Sequence, residues 1–296
     1  MITSNPFAEL AAFIPPAAMQ AYVVLMVILV AVGTILDMMH KRSAQYFFEN
    51  AKKAEKNATR GVSGGEKFSQ AVQTLGKEVI TSGEFKNPKR RASHLFTMWG
   101  FIVFVVSSAV LIFGYATEPA AGVWPVLWHL GALSLAFGGY WFWFFIRVDV
   151  YSEGRRWYQL VRADLFIVSL LAMSTFAILW SLTQGTGALG WLFFALFLAA
   201  TTTLFATVYW SKFAHMFFKP AAAYQKRITR ADGSAENLPT LTRDDPEQQQ
   251  RHSMELLRDA PMDMGKGIQR EAPHHYSATY PNTRIDRGLP CQLSYT

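Results

Sequence analysis

The chain has 296 residues, 51% of them hydrophobic and 15% aromatic, with 28 Lys and Arg against 21 Asp and Glu for a formal net charge of +7. That charge does not signal nucleic acid, because every Lys and Arg falls within 41–91, 147–162 or 212–287 and the apolar runs between carry none. Cys291 is the only cysteine, which excludes an internal disulfide and a four-cysteine iron–sulfur cluster.

Five runs, 19–39, 95–116, 124–146, 164–183 and 189–211, are long enough to cross a hydrocarbon core of roughly 30 Å as helices. The expected fold is therefore an all-α integral membrane protein with five transmembrane helices. Short basic loops stay on the cytoplasmic side, so the N-terminus is expected outside and the C-terminus in the cytoplasm. The expected organisation is an outer segment 1–18, a five-helix membrane domain 19–220 with a cytoplasmic helical loop 41–93, and a polar cytoplasmic tail 221–296. In a bacterial cell this places the chain in the inner (cytoplasmic) membrane as a multi-pass protein. No basic residue precedes the first run, so it predicts a span rather than a cleaved signal.

In chain order, Pro6, Phe7, Phe13, Pro15 and Pro16 predict an outer segment that touches the interface. Helix 1 is expected to continue past the membrane through Ala44 to Arg60, with Gly61 to Gly65 as its stop. Glu66 to Thr81 predicts a second helix outside the bilayer, with Phe68, Val72, Leu75 and Val79 on one apolar stripe. That stripe suits either the protein's own inner surface or another subunit. Short turns at Thr117 to Gly122 and Gln184 to Ala188 predict antiparallel hairpins. Gly131, Ser134, Ala136, Gly138 and Gly139 allow close helix contact or room for a flat ligand. After Pro220 the composition turns polar, with one short helix expected over Glu247 to Asp259.

A histidine at membrane depth is costly unless paired, solvated or bound to metal. His94 opens helix 2 and His215 is expected to close helix 5, which places both at similar depth near the inner face. Two such imidazoles on different helices suit the axial positions of a b-type haem, and Arg90, Arg91, Lys212 and Lys219 lie where they could meet its propionates. The competing reading is a pair of interfacial histidines among basic residues. His40, at the same level, could replace either ligand. His129 could donate to a quinone carbonyl or simply sit in an aromatic belt with Trp124 and Trp128; an inner quinone site with His40 and Asp37 competes with it, and Asp37 also suits a helical pair with its neighbours. The spans lack paired broken helices and carry almost no buried charge, which argues against a transporter.

The stretch Asn87 to Phe101, with Lys89, Arg90 and Arg91 before His94 and Gly100 and Phe101 after it, resembles the opening of helix 2 in a known family. The close Lys212, Phe213, Ala214, His215, Met216, Phe217, Phe218, Lys219 and Pro220 resembles that family's helix 5. Over residues 20–220 the chain is similar to the gamma subunit of respiratory nitrate reductase, and more so to the membrane cytochrome b parts of heterodisulfide reductase and of the quinone-interacting complex that serves adenylylsulfate reductase. The resemblance implies a membrane-anchor electron-transfer subunit rather than an enzyme by itself. Such a subunit exchanges electrons between quinone and a cytoplasmic iron–sulfur or flavin enzyme, adenylylsulfate reductase among the candidates. It also implies His94 and His215 as haem ligands. Two-haem members carry a second histidine pair where this chain has Phe104 and Phe197, so one haem b is expected. The alternative is a haem-free anchor that recruits a soluble partner.

Overall fold

The computed structural model describes residues 2–41, 43–83, 85, 88–146, 158–211, 213, 215–236 and 238. The described residues form helices without strands: α1 (Pro6–Leu10), α2 (Pro16–Lys41), α3 (Ser43–Lys56), α4 (Gly64–Thr74), α5 (Pro88–Gly114), α6 (Trp124–Trp141), α7 (Leu165–Thr183), α8 (Ala188–Ala206) and α9 (His215–Ala231). Of these α2, α5, α6, α7 and α8 are long and apolar enough to cross a membrane, α6 with its π-helical extension to Ile146. The expected tail helix over Glu247 to Asp259 and the loop 147–157 lie outside the described residues.

The five spans pack unequally. Helices α5 and α6 meet backbone to backbone: a Cβ added to Gly131 would lie 2.7 Å from Phe104 N, and one added to Gly138 would lie 2.6 Å from Thr97 N. Ser93 Oγ donates to Gly138 O at 2.9 Å across the same seam, and Ser134 Oγ to Phe96 O at 2.9 Å. Gly131 and Gly138 thus serve close helix contact, which settles the choice the sequence left open at these two positions. Helix α7 joins α6 and α8, while α2 stands on the outside, held by Gln20 Nε2 to Ile112 O (3.2 Å) and by the Tyr22 hydroxyl at Thr202 Oγ1 (2.9 Å).

The first residues do more than touch an interface. Asn5 caps α1 by accepting from Phe7 N, and its amide donates to Tyr115 O at 2.7 Å and Glu118 O at 3.1 Å in the α5–α6 turn. This latch drives Phe7 into the core, 5.9 Å from Trp128 and 5.5 Å from Trp180 between ring centroids. Phe104 and Phe197 face each other beneath them at 6.3 Å, and Trp180 stacks on Phe197 at 5.7 Å. The far end of the bundle is therefore a solid aromatic layer.

At the end where the basic residues gather, several expected boundaries move. Helix α3 ends at Lys56, before the glycines expected to stop it. Its exit is fixed instead by the segment after α9, since Thr59 N donates to Asp232 O at 2.9 Å and Asn57 Nδ2 to Glu236 Oε2 at 3.0 Å. Ser63 caps α4, which begins two residues earlier than Glu66 and relaxes into a π-helical turn over Leu75–Ile80. Helix 5 does not reach His215: α8 ends at Ala206, and His215 opens α9. Thr201, Thr203 and Thr207 turn their hydroxyls back onto carbonyls of the preceding turn, which weakens continuation there. The boundary expected at 220/221 falls inside α9, which passes through Pro220 and packs on α3 and α4.

Candidate functional site

The basic rim brings together residues from α5, α9 and the segment between α4 and α5. Ser82 takes a left-handed φ of 50°, an unusual choice for a residue with a Cβ, and so turns the chain sharply after the π-helical turn. The turn carries Phe85 against His94, with ring centroids 4.8 Å apart. It also places Ser82 Oγ 2.9 Å from His94 Nδ1. Arg90 lies over the Phe85 ring at 5.6 Å and Lys219, from α9, at 5.5 Å. Cations over an aromatic face contribute about 0.5–2 kcal/mol each, depending on desolvation. Phe85 is thus the contact that ties the start of α5 to the start of α9.

Of the residues expected at this site, His94, Arg90 and Lys219 are brought together. Arg91 turns aside, its Nε donating to Thr81 O at 2.7 Å. Lys212 lies outside the described residues, and of His215 the backbone alone is described. His215 stands four residues before Lys219 on α9, one turn away along the same face. Ser82 and Phe85 were not legible as site residues, because nothing in their spacing separates them from ordinary loop positions; only the tertiary turn at Ser82 delivers them.

Whether a b-type haem fits can be judged from this rim and the layer beneath it. The ligand chemistry fits: one imidazole has its Nδ1 held by a hydroxyl, the arrangement that orients a ligating histidine, and cations for propionates stand beside it. In the bundle interior just below, Phe213 packs with ring centroids 6.3 Å from Phe101, 5.8 Å from Phe205 and 5.7 Å from Phe166. The rim between the starts of α5 and α9 thus carries donor and cation chemistry of the kind a haem would use, with Phe85 standing between them.

His129 is buried, with Nδ1 2.7 Å from Pro125 O and Nε2 2.6 Å from Ser181 Oγ. Both nitrogens are engaged within the protein, so the ring knits α6 to α7 and offers no nitrogen to a quinone unless one of these bonds breaks. His40 packs against Tyr209 at 5.6 Å, and Asp37 is 1% exposed, one turn beyond Gly33, whose added Cβ would meet Val208 just past α8.

One feature carried no sequence signal. Between α2, α5 and α8 lies an apolar cleft of about 910 Å³, lined by Tyr22, Met26, Thr34, Phe101 and Phe104 and, from α9, by Met216 and Phe217. Its volume suits a chain-like apolar ligand. The Thr34 Oγ1 atom on its wall is buried with no hydrogen-bond partner among the described residues. The chain matches no protein-family model, and no curated protein or solved structure matches it.

Proposed function

We propose that this is a membrane-anchor electron-transfer subunit that exchanges electrons between a membrane quinone and a cytoplasmic redox enzyme carrying iron–sulfur or flavin centres. Adenylylsulfate reductase, an enzyme of sulfur metabolism, is the specific partner suggested by the resemblance. The observation that carries the reading is the rim cluster, in which the His94 imidazole, held by Ser82, shares the Phe85 ring with Arg90 and Lys219. His94 and His215 would hold one b-type haem, with Arg90 and Lys219 toward its propionates. A bound haem supplies one-electron transfer at the cytoplasmic surface of the inner membrane.

The protein's own residues do the rest. Ser82 fixes the orientation of His94, and the cleft beside α2 receives the isoprenoid tail of a quinone from the bilayer. Thr34, Asp37 and His40 lie on consecutive turns of α2 toward the same rim, where a headgroup could exchange protons with water.

The test is the reduced-minus-oxidised absorption spectrum of purified protein, with haem counted per chain. About one haem is expected, lost in His94→Ala and in His215→Ala and kept in His129→Ala. Equal haem in all variants, or two per chain, overturns the assignment. The packed layer of Phe101, Phe205 and Phe213 favours a second reading, a haem-free anchor that recruits the partner. A spectrum without haem from protein that still co-purifies with a soluble redox enzyme selects that reading.

A further inference from the structure

The apolar stripe of α4 is not covered by the described residues. Phe68 is 72% exposed, Val72 52% and Leu75 55%. The reason is rotational: α4 and its π-helical turn present the opposite face to α9, where Thr74 is buried, Arg227 donates to Gln73 Oε1 at 3.4 Å and pairs with Glu78 at 3.0 Å. Helix α9 is thus satisfied by polar contacts, and three large apolar side chains are turned away from it.

The position of this face relative to the spans decides what covers it. Helix α5 has 27 residues, about 40 Å at 1.5 Å per residue, so its first turns extend beyond a hydrocarbon core of about 30 Å. Counting back from Gly114 puts the edge of that core near Leu95, and Trp99 about 6 Å inside it. Trp99 Nε1 donates to Ile80 O at 3.3 Å, which pins the end of the π-helical turn to the interfacial depth favoured by tryptophan. Ile80, Phe96 and Trp99 are themselves exposed, so the α4 stripe runs on through Leu75 and Ile80 into the lipid-facing surface of α5. Helix α9 keeps to the same level: Lys219 meets Phe85 beside His94, and Arg227, about 12 Å further along, meets Glu78 two residues before Ile80.

We propose that α4 with its π-helical turn is an in-plane membrane-surface helix, its Phe68, Val72 and Leu75 seated in the headgroup–acyl boundary of the bilayer at the basic end. Continuity with the lipid-facing surface of α5 identifies the occupant as lipid. The exposed Lys67 beside the stripe and Lys52, Lys53 and Lys56 on α3 match an anionic leaflet. The inference is independent of haem and quinone. Its consequence is that α9, strapped to α4 through Arg227, is held flat on the membrane, which fixes the platform that a soluble partner meets.

The experiment uses the full-length Cys291→Ser protein carrying Phe68→Cys, Val72→Cys or, as a reference exposed on another side, Lys77→Cys. Each is labelled with a small environment-sensitive fluorophore and reconstituted in nanodiscs of phosphatidylethanolamine and phosphatidylglycerol. Labels at 68 and 72 should be quenched several-fold more by chain-attached nitroxide lipid than by a water-soluble quencher, at depths of about 5–10 Å below the headgroups, with the reverse order at 77. Water-like quenching at 68 and 72 overturns the proposal. So does protection that appears only when a soluble protein or a second copy of the chain is bound, since the face would then be a protein-docking surface.

Discussion

The α5–α6 seam and the α2 side of the membrane domain are built from similarly apolar sequences and pack in opposite ways. At the seam, glycines let two backbones touch and serine hydroxyls bond carbonyls across the gap. On the α2 side, Val, Leu, Ile and Met hold the helices apart, Gln20 and Tyr22 supply the ties, and a cleft of about 910 Å³ remains. In lipid, apolar surface gains nothing by leaving the acyl chains, so close packing is reached only where small residues admit it. Hydrophobicity therefore predicts which helices enter a membrane, and small residues predict which of them form a rigid body.

The seam should break first. Gly131→Leu and Gly138→Leu drive a side chain into the backbone of α5, which cannot yield, and each should cost about 3 kcal/mol or abolish folding. Gly114→Leu, where an added Cβ meets nothing within 4 Å, is the matched control and should behave as wild type. Thermal unfolding in detergent measures both, and a seam variant as stable as the control would mean that α5 and α6 are not in backbone contact.

A smaller loss is expected at the far end, where Asn5 belongs to the rigid side although it precedes every span. Asn5→Ala removes the α1 cap and leaves the carbonyls of Tyr115 and Glu118 without their amide donor, at about 1–3 kcal/mol. Loss of the latch should also free Phe7 from Trp128 and Trp180, which tryptophan fluorescence would report as increased quencher access. Unchanged fluorescence and unfolding would show that α1 is not needed to close the aromatic layer.

The five spans were legible because long apolar runs free of Lys and Arg have few other uses, and the antiparallel hairpins followed from short turns such as Thr117 to Gly122. Gly131 and Gly138 were visible as small residues, but their partners on α5 were not, because contact between helices depends on rotation about each axis, which composition does not encode. Phe68, Val72 and Leu75 were legible as a stripe, but the direction it faces is set by a remote pair, Arg227 with Glu78. At the rim, His94, Arg90 and Lys219 stood out by residue type, whereas Phe85, which joins them, is one of 23 phenylalanines and carries no such mark. His215 was expected to end a span and instead begins α9, because Thr201, Thr203 and Thr207 spend side-chain bonds on carbonyls of the preceding turn.

The loose side gives the milder predictions. Tyr22→Phe removes the hydroxyl that meets Thr202 Oγ1 at 2.9 Å and Leu198 O at 3.3 Å, one of the ties between α2 and α8. The expected cost is about 1 kcal/mol, because lipid-exposed α2 retains Gln20 and its contact at Gly33 with Val208. The diagnostic change is mobility: nitroxide labels on the lipid face of α2 should broaden their distance distribution to α5 far more than labels on α6 do. Equal broadening on α6 would erase the distinction between a rigid and an adaptable half.

The smallest stability effect is expected at Thr34, and its sign is informative. Its Oγ1 is buried on the cleft wall without a hydrogen-bond partner among the described residues, so the hydroxyl already bears its desolvation cost. Thr34→Val keeps the shape and removes that cost, so unfolding should be unchanged or favoured by about 0.5 kcal/mol, against the destabilisation expected for Tyr22→Phe. If the cleft receives a quinone headgroup at this depth, the same hydroxyl finds its partner in the bound state, and quinone retained per chain after purification should fall several-fold in Thr34→Val. Extraction and chromatographic counting of quinone, run beside unfolding of the same preparation, separates the outcomes. Loss of quinone without loss of stability places the headgroup near Thr34, whereas retention of both makes the cleft a site for the tail alone.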